Sequence, residues 1–118
     1  MKRILVVEDD QASCDVLCKI LKKEQFEVNA FANGNEALEL LRKEHFDLVI
    51  TDLCMPRIHG FELIRQIRHE DKRMIPIIIF SALSDREYIE KARLLGVNAY
   101  VTKPLNIVHL LQSIREQL

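Results

Sequence analysis

Short apolar runs alternate with longer stretches of helical period, and this alternation constrains the fold more than any other feature of the chain. Ile4-Leu5-Val6-Val7, Leu48-Val49-Ile50 and Ile77-Ile78-Ile79-Phe80 are unbroken apolar runs of strand length. A strand that is apolar at every position buries both faces, as in a parallel sheet covered by helices on two sides. Val28 to Phe31 and Ala99 to Thr102 are weaker strand candidates, suited to sheet edges. Between the runs, Cys14, Leu17, Cys18 and Leu21 follow the i, i+3, i+4, i+7 spacing of an amphipathic helix, as do Ile107, Leu110, Leu111 and Ile114. Ala37, Leu38 and Leu41 mark a further helix, and Phe61, Ile64 and Ile67 another. Asn33 with Glu36, and Ser84 with Glu87, have capping-box spacing. Gly96 suits the end of the helix that follows Ser84, and Asp10 and Asn106 suit N-caps. The chain therefore reads as five βα units in an α/β, doubly wound, open parallel sheet.

Composition excludes several classes. At 118 residues the chain is one domain, taken as residues 1–118. A net charge of −1 marks neither a nucleic-acid-binding nor a membrane-binding surface. No apolar stretch is long enough to span a bilayer, and Glu8, Asp9 and Asp10 end the first one too early for a signal peptide. The chain has 3 cysteines, an odd count without secretory context, which argues against a disulfide framework and for a reducing, cytoplasmic location. Cys14 and Cys18, on one helical face, read as small core residues.

In an open α/β sheet, ligands bind beyond the C-terminal ends of the strands. Here those ends carry Glu8-Asp9-Asp10, Thr51-Asp52, Ser81-Ala82 and Lys103-Pro104. Carboxylates from two strands thus converge with a hydroxyl and an ammonium. Clustered carboxylates repel one another unless a hard cation holds them, and oxygen ligands with water suit Mg²⁺. A carboxylate can also act as a nucleophile and form an acyl phosphate. Phosphoryl transfer asks mainly for positioning and charge neutralisation.

In that order and at those strand ends, the residues resemble the receiver domains of two-component response regulators over essentially the whole chain. The motifs are Val6-Val7-Glu8-Asp9-Asp10, Asp52-Leu53-Cys54-Met55-Pro56 with Gly60 following, Ser81-Ala82, and Tyr100-Val101-Thr102-Lys103-Pro104. The resemblance implies a flavodoxin-like, CheY-like sheet of strand order 2-1-3-4-5. It implies a phosphorylation switch that catalyses its own phosphorylation and dephosphorylation instead of turning over an external substrate. Asp52 matches the phosphoaccepting aspartate. Asp9, Asp52 and the backbone carbonyl of Cys54 match the direct Mg²⁺ ligands, and Glu8 acts on the metal through water. Lys103 matches the lysine that pairs with the phosphoryl group, and the Lys103-Pro104 peptide is cis. Ser81 matches the hydroxyl that moves to the phosphate, and Tyr100 the aromatic that swings inward behind it. The resemblance thus implies a shift of the surface formed by the fourth helix, fifth strand and fifth helix. It also implies a sensor histidine kinase or histidine phosphotransfer protein as donor. A downstream effector or an attached output domain would receive the signal.

Other readings remain at this stage. Asp10 reads as a helix cap that could also touch the metal. Tyr100, taken alone, would be a core tyrosine with its hydroxyl in water. His59 stands before Gly60, where many receivers carry an acidic or amide residue, and is expected to be a loop residue without chemistry. Cys54 and Leu83 occupy positions that border the family's site. Asn98 and Ala99 replace acids that help many DNA-binding members dimerise. A phosphatase with an aspartyl-phosphate intermediate would place a second aspartate where Cys54 stands. A flavin module would need a Ser/Thr/Gly-rich phosphate loop where Glu8-Asp9-Asp10 stand. A degenerate receiver would keep only a protein-binding surface.

Overall fold

In the computed structural model, which describes residues 1–54, 59–70 and 74–118, the apolar runs all become strands. The elements, in chain order, are β1 (Arg3–Val7), α1 (Gln11–Lys23), β2 (Glu27–Phe31), α2 (Gly34–Lys43), β3 (Leu48–Thr51), α3 (Gly60–His69), β4 (Ile77–Ser81), α4 (Arg86–Leu94), β5 (Ala99–Thr102) and α5 (Ile107–Gln117). The strands form one parallel sheet in the order β2-β1-β3-β4-β5, so the two weaker strand candidates do lie at its edges. The Met55-Pro56 part of the second motif lies outside the described residues.

Alternate residues of each central strand feed two cores. Leu5, Val7, Val49, Ile77 and Ile79 pack with Leu38 and Leu41 of α2, Ile64 and Ile67 of α3, and Ala92 of α4. Ile4, Val6, Leu48, Ile50, Ile78 and Phe80 face the other way, onto Leu17 and Leu21 of α1 and Leu110 and Ile114 of α5. This explains the unbroken runs, because each face of the sheet has its own helical layer to bury into. Cys14 is buried and Cys18 half-buried against the second core, with their Sγ atoms 3.9 Å apart. Among the described residues, no helix is long and apolar enough to cross a membrane.

Local caps set the helix ends. Asp10, Asn33 and Asn106 each accept a backbone N–H three residues on, from Ser13, Glu36 and His109, at 3.0, 3.0 and 3.1 Å. Gly96, with φ at 86°, closes α4. Its N–H donates to Arg93 O and that of Val97 to Ala92 O, a Schellman pair of bonds. The same pair closes α1, but there Gln25 holds the left-handed position at φ 70°. A side chain in that conformation costs roughly 1 kcal/mol relative to glycine, so α1 ends without the residue that usually marks such an end.

One expectation is corrected. The N-cap of α4 is Asp85, without a side-chain cap bond, and Ser84 stands one residue outside the helix. The preceding loop is held by Leu83, whose N–H and C=O are both engaged elsewhere, and this delays the helix start. His59 is a loop residue, as expected, and it also caps α3, with Nδ1 accepting the Phe61 N–H at 3.2 Å.

Gly60 marks the closest backbone approach to the sheet end. A Cβ there would lie 2.4 Å from Asp52 O and 2.7 Å from Leu53 Cα, and the Gly60 N–H already donates to Leu53 O at 3.0 Å. The first turn of α3 thus rests directly on the backbone that carries Asp52. The obstruction is backbone, which cannot rotate aside. Gly60→Ala is therefore expected to destabilise the domain by about 2–3 kcal/mol, read as a lower urea midpoint. An unchanged midpoint would show that α3 does not bear on the Asp52 turn.

Candidate functional site

Two ladder bonds carry the site residues just past the strand ends. Glu8 N–H donates to Phe31 O and Asp52 N–H donates to Val7 O, both at 3.0 Å. Glu8 and Asp52 are consequently buried, whereas Asp9 is exposed at the mouth of the site. Across the sheet, Lys103 N–H donates to Ser81 O at 2.8 Å, which sets the root of the lysine beside the end of β4. The Lys103-Pro104 peptide is cis, as expected.

From there the Lys103 ammonium reaches both buried carboxylates. Nζ lies 2.5 Å from Glu8 Oε1 and 3.0 Å from Asp52 Oδ2. The Phe80 ring lies under the ammonium, 5.3 Å from Nζ to the centroid, within cation–π range. Asp52 Oδ1 accepts the N–H groups of Leu53 at 2.6 Å and Cys54 at 3.3 Å, so the carboxylate is fixed at both oxygens. Thr51 Oγ1 donates to Asp52 O at 2.8 Å.

One carboxylate oxygen each from Glu8, Asp9 and Asp52 lies within 4.8 Å of the others. Two unit charges at that separation repel by roughly 3 kcal/mol at an effective dielectric near 20. One ammonium cannot offset three carboxylates, so the cluster favours a further cation. The donors are hard oxygens, which fits Mg²⁺ better than a softer metal. Asp10 stands apart from this trio, because its carboxylate caps α1.

The charges shift one another. Burial raises the Glu8 carboxyl, and the Asp52 charge raises it further, against the pull of Lys103. Burial acts upward on Asp52 as well, but bonds from Lys103, Ser81 and the Cys54 N–H outweigh it and hold Asp52 below the usual range. For Lys103, burial is overcome by its bonds to Glu8 and Asp52, and the ammonium is held above its ordinary value. Of the two buried carboxylates, Asp52 is the one these partners draw toward its ionised form. Partial burial, with the Asp52 and Asp9 charges, raises the Cys54 thiol and so favours its protonated form.

Ser81 is buried at the end of β4, and its Oγ accepts the Leu83 N–H at 3.2 Å. The Tyr100 hydroxyl is not merely in water, since it donates to Leu83 O at 2.5 Å. One peptide unit on either side of Leu83 therefore joins Ser81 to Tyr100. Sequence reasoning missed this link, because backbone donors and acceptors leave no mark in residue identity. It also missed Phe80 beneath Lys103, which reads as one more apolar strand residue.

The comparisons agree with this geometry. The model of the response regulator receiver domain family matches residues 4–115. The transcriptional regulatory protein PdtaR of Mycobacterium tuberculosis is 37% identical over 114 residues, 96% of this chain and 55% of that protein. The chain spans about half the length of several relatives it matches, PdtaR among them. Chemotaxis protein CheY4 of Vibrio cholerae superimposes with a TM-score of 0.94 at 28% identity, covering 100% of this chain and 99% of that one. Response regulator TrrA of Thermotoga maritima, solved in complex with Mg²⁺-BeF, gives 0.90 at 34% identity and covers 100% of both chains. A strand order of 2-1-3-4-5, an acidic cluster at the strand ends and a match along nearly the whole length lead to one assignment: the chain belongs to the response regulator receiver domains of two-component, phosphorylation-based signalling.

Proposed function

We propose that residues 1–118 form a cytoplasmic switch that accepts a phosphoryl group on Asp52 from the phosphohistidine of a sensor kinase or phosphotransfer protein. The observation that carries this reading is the doubly held carboxylate of Asp52, buried, in contact with Lys103 and held below the usual carboxylate range. An Asp52 oxygen attacks phosphorus, the N–P bond breaks, and its electron pair leaves with the donor imidazole. The result is an acyl phosphate on Asp52. Lys103, already at Asp52 Oδ2, pairs with a phosphoryl oxygen. Asp9, Asp52 and the Cys54 carbonyl would hold Mg²⁺, with Glu8 acting through water. When bound, Mg²⁺ neutralises charge on the phosphoryl oxygens and orients them.

A hollow of about 310 Å³ beside Lys103 supports a protein donor. It is lined by Asp10, Ser13 and Val16 of the α1 region and by Phe80 and Leu105. Val16 is exposed there, an apolar contact at the edge of a charged site.

Phosphorylation adds charge and three strong acceptors. The Ser81 hydroxyl can donate to one of them while still accepting the Leu83 N–H. Drawing Ser81 toward the phosphate moves the Leu83 peptide and the Tyr100 hydroxyl bonded to it. The surface of α4, β5 and α5 then changes for an effector or an attached output domain.

Intact mass after treatment with acetyl phosphate tests this reading. With Mg²⁺ the protein should gain about 80 Da, one phosphoryl group, and Asp52→Asn should gain nothing. A folded wild type that gains no mass from acetyl phosphate or from a phosphohistidine donor would leave only a binding module.

A further inference from the structure

We propose that Phe80 is a positioning residue for phosphoryl acceptance: its ring face holds the Lys103 ammonium at the acceptor carboxylate and stays with it when the lysine pairs with the phosphoryl group. The inference rests on the reading of Asp52 as acceptor, and it concerns what steadies the lysine beside it.

β4 is aliphatic at Ile77, Ile78 and Ile79 and turns aromatic only at Phe80, next to Ser81 at the site. Phe80 is buried in the core between the sheet and the layer of α1 and α5. An aliphatic side chain would fill that layer, as Ile78 does on the same face. A phenyl ring adds what isoleucine lacks, a face of negative potential. Lys103 Nζ lies over that face, 5.3 Å from the centroid, inside the range in which a cation is drawn to the ring quadrupole.

The ammonium has a use for such a partner. It carries three N–H donors. Among the described residues, its acceptors are Glu8 Oε1 at 2.5 Å and Asp52 Oδ2 at 3.0 Å. The Lys103 side chain is only 20% exposed, so water serves the third donor only in part. The ring offers attraction without a fixed direction, unlike a carboxylate oxygen. When Asp52 gains a phosphoryl group, Lys103 exchanges Asp52 Oδ2 for a phosphoryl oxygen. The ring keeps its hold while Nζ makes that move, so the cation is already in place where negative charge develops.

Backbone fixes the roots of both side chains. Phe80 pairs in register with Val101 and Ser81 with Thr102, and the Lys103 N–H continues the ladder by donating to Ser81 O at 2.8 Å. The contact between ring and ammonium is therefore set by the sheet and does not depend on a loop. Phe80 also lines the hollow beside Lys103, together with Ser13 and Val16, so the ring stands between the core and the place where the donor is seated on the proposed reading.

Fluorination of this one ring separates the effect from packing, because each fluorine weakens the negative face and changes the shape little. Proteins carrying mono-, di- or trifluorinated phenylalanine in place of Phe80 are compared with wild type and Phe80→Leu in initial rates of phosphorylation by acetyl phosphate at saturating Mg²⁺. The rate should fall stepwise with each fluorine, to about five-fold below wild type in the trifluorinated protein and in Phe80→Leu. The fluorinated rings keep the core filled, so the series stands even where Phe80→Leu is unstable. The ε-methylene protons of Lys103, followed by NMR, should be shifted upfield by the ring in wild type and return to ordinary values in Phe80→Leu. A rate indifferent to fluorine would overturn the proposal, and a slow Phe80→Leu beside it would make Phe80 a packing residue. Lys103 resonances that do not respond to loss of the ring would overturn it too. If no protein is phosphorylated at all, the acceptor reading fails instead. The Lys103 resonances then still decide whether the ring holds the ammonium.

Discussion

The Lys103 ammonium, shared between two buried carboxylates, is the interaction on which the rest of this structure depends. Glu8 and Asp52 are 4% and 8% exposed, a placement tolerated only where charge is paired and hydrogen-bonded. The pairing spans three strands: Glu8 follows β1, Asp52 follows β3 and Lys103 follows β5. It therefore requires the sheet order that brings those ends together, with β4 between the acceptor and the lysine. The apolar runs fold the sheet, and the sheet places the charges.

The site is fastened to its surroundings by backbone more than by side chains. On one side, Gly60 and the first turn of α3 abut the peptide of Asp52 and Leu53. On the other, the loop after β4 hangs on Leu83, with Ser81 at its N–H and Tyr100 at its C=O. On the proposed reading, these connections let a charge change at Asp52 be felt at α3, whose first turn abuts its backbone, and at the loop before α4.

Much of this was legible before any coordinates. Strands buried on both faces appear as continuous apolar runs, and the side-chain caps Asp10, Asn33 and Asn106 are local events that spacing reveals. The acidic trio and Lys103 were legible because the ends of parallel strands converge whatever the loops do. What stayed hidden has a common physical character. Gln25 ends α1 without glycine because two Schellman bonds hold it in a costly conformation. Ser84 has the right spacing for a cap, but the loop before α4 follows the bonds of Leu83. His59 does not resemble an N-cap because imidazole accepts only in one protonation state. The role of Leu83 lies in its peptide groups, to which residue identity is blind.

The central claim is that the site holds more negative charge than Lys103 can balance, and that Asp9, Asp52 and Glu8 therefore form a cation site. Thermal unfolding of wild type and Asp9→Asn, with and without millimolar Mg²⁺, tests it most directly. Asp9 is exposed, so its neutralisation removes repulsion without opening the core. The account predicts that Mg²⁺ raises the wild-type midpoint by linkage. It predicts that Asp9→Asn is at least as stable as wild type without Mg²⁺ and gains little on its addition. An equal rise in both proteins would contradict it, as would a variant less stable than wild type in the absence of the metal.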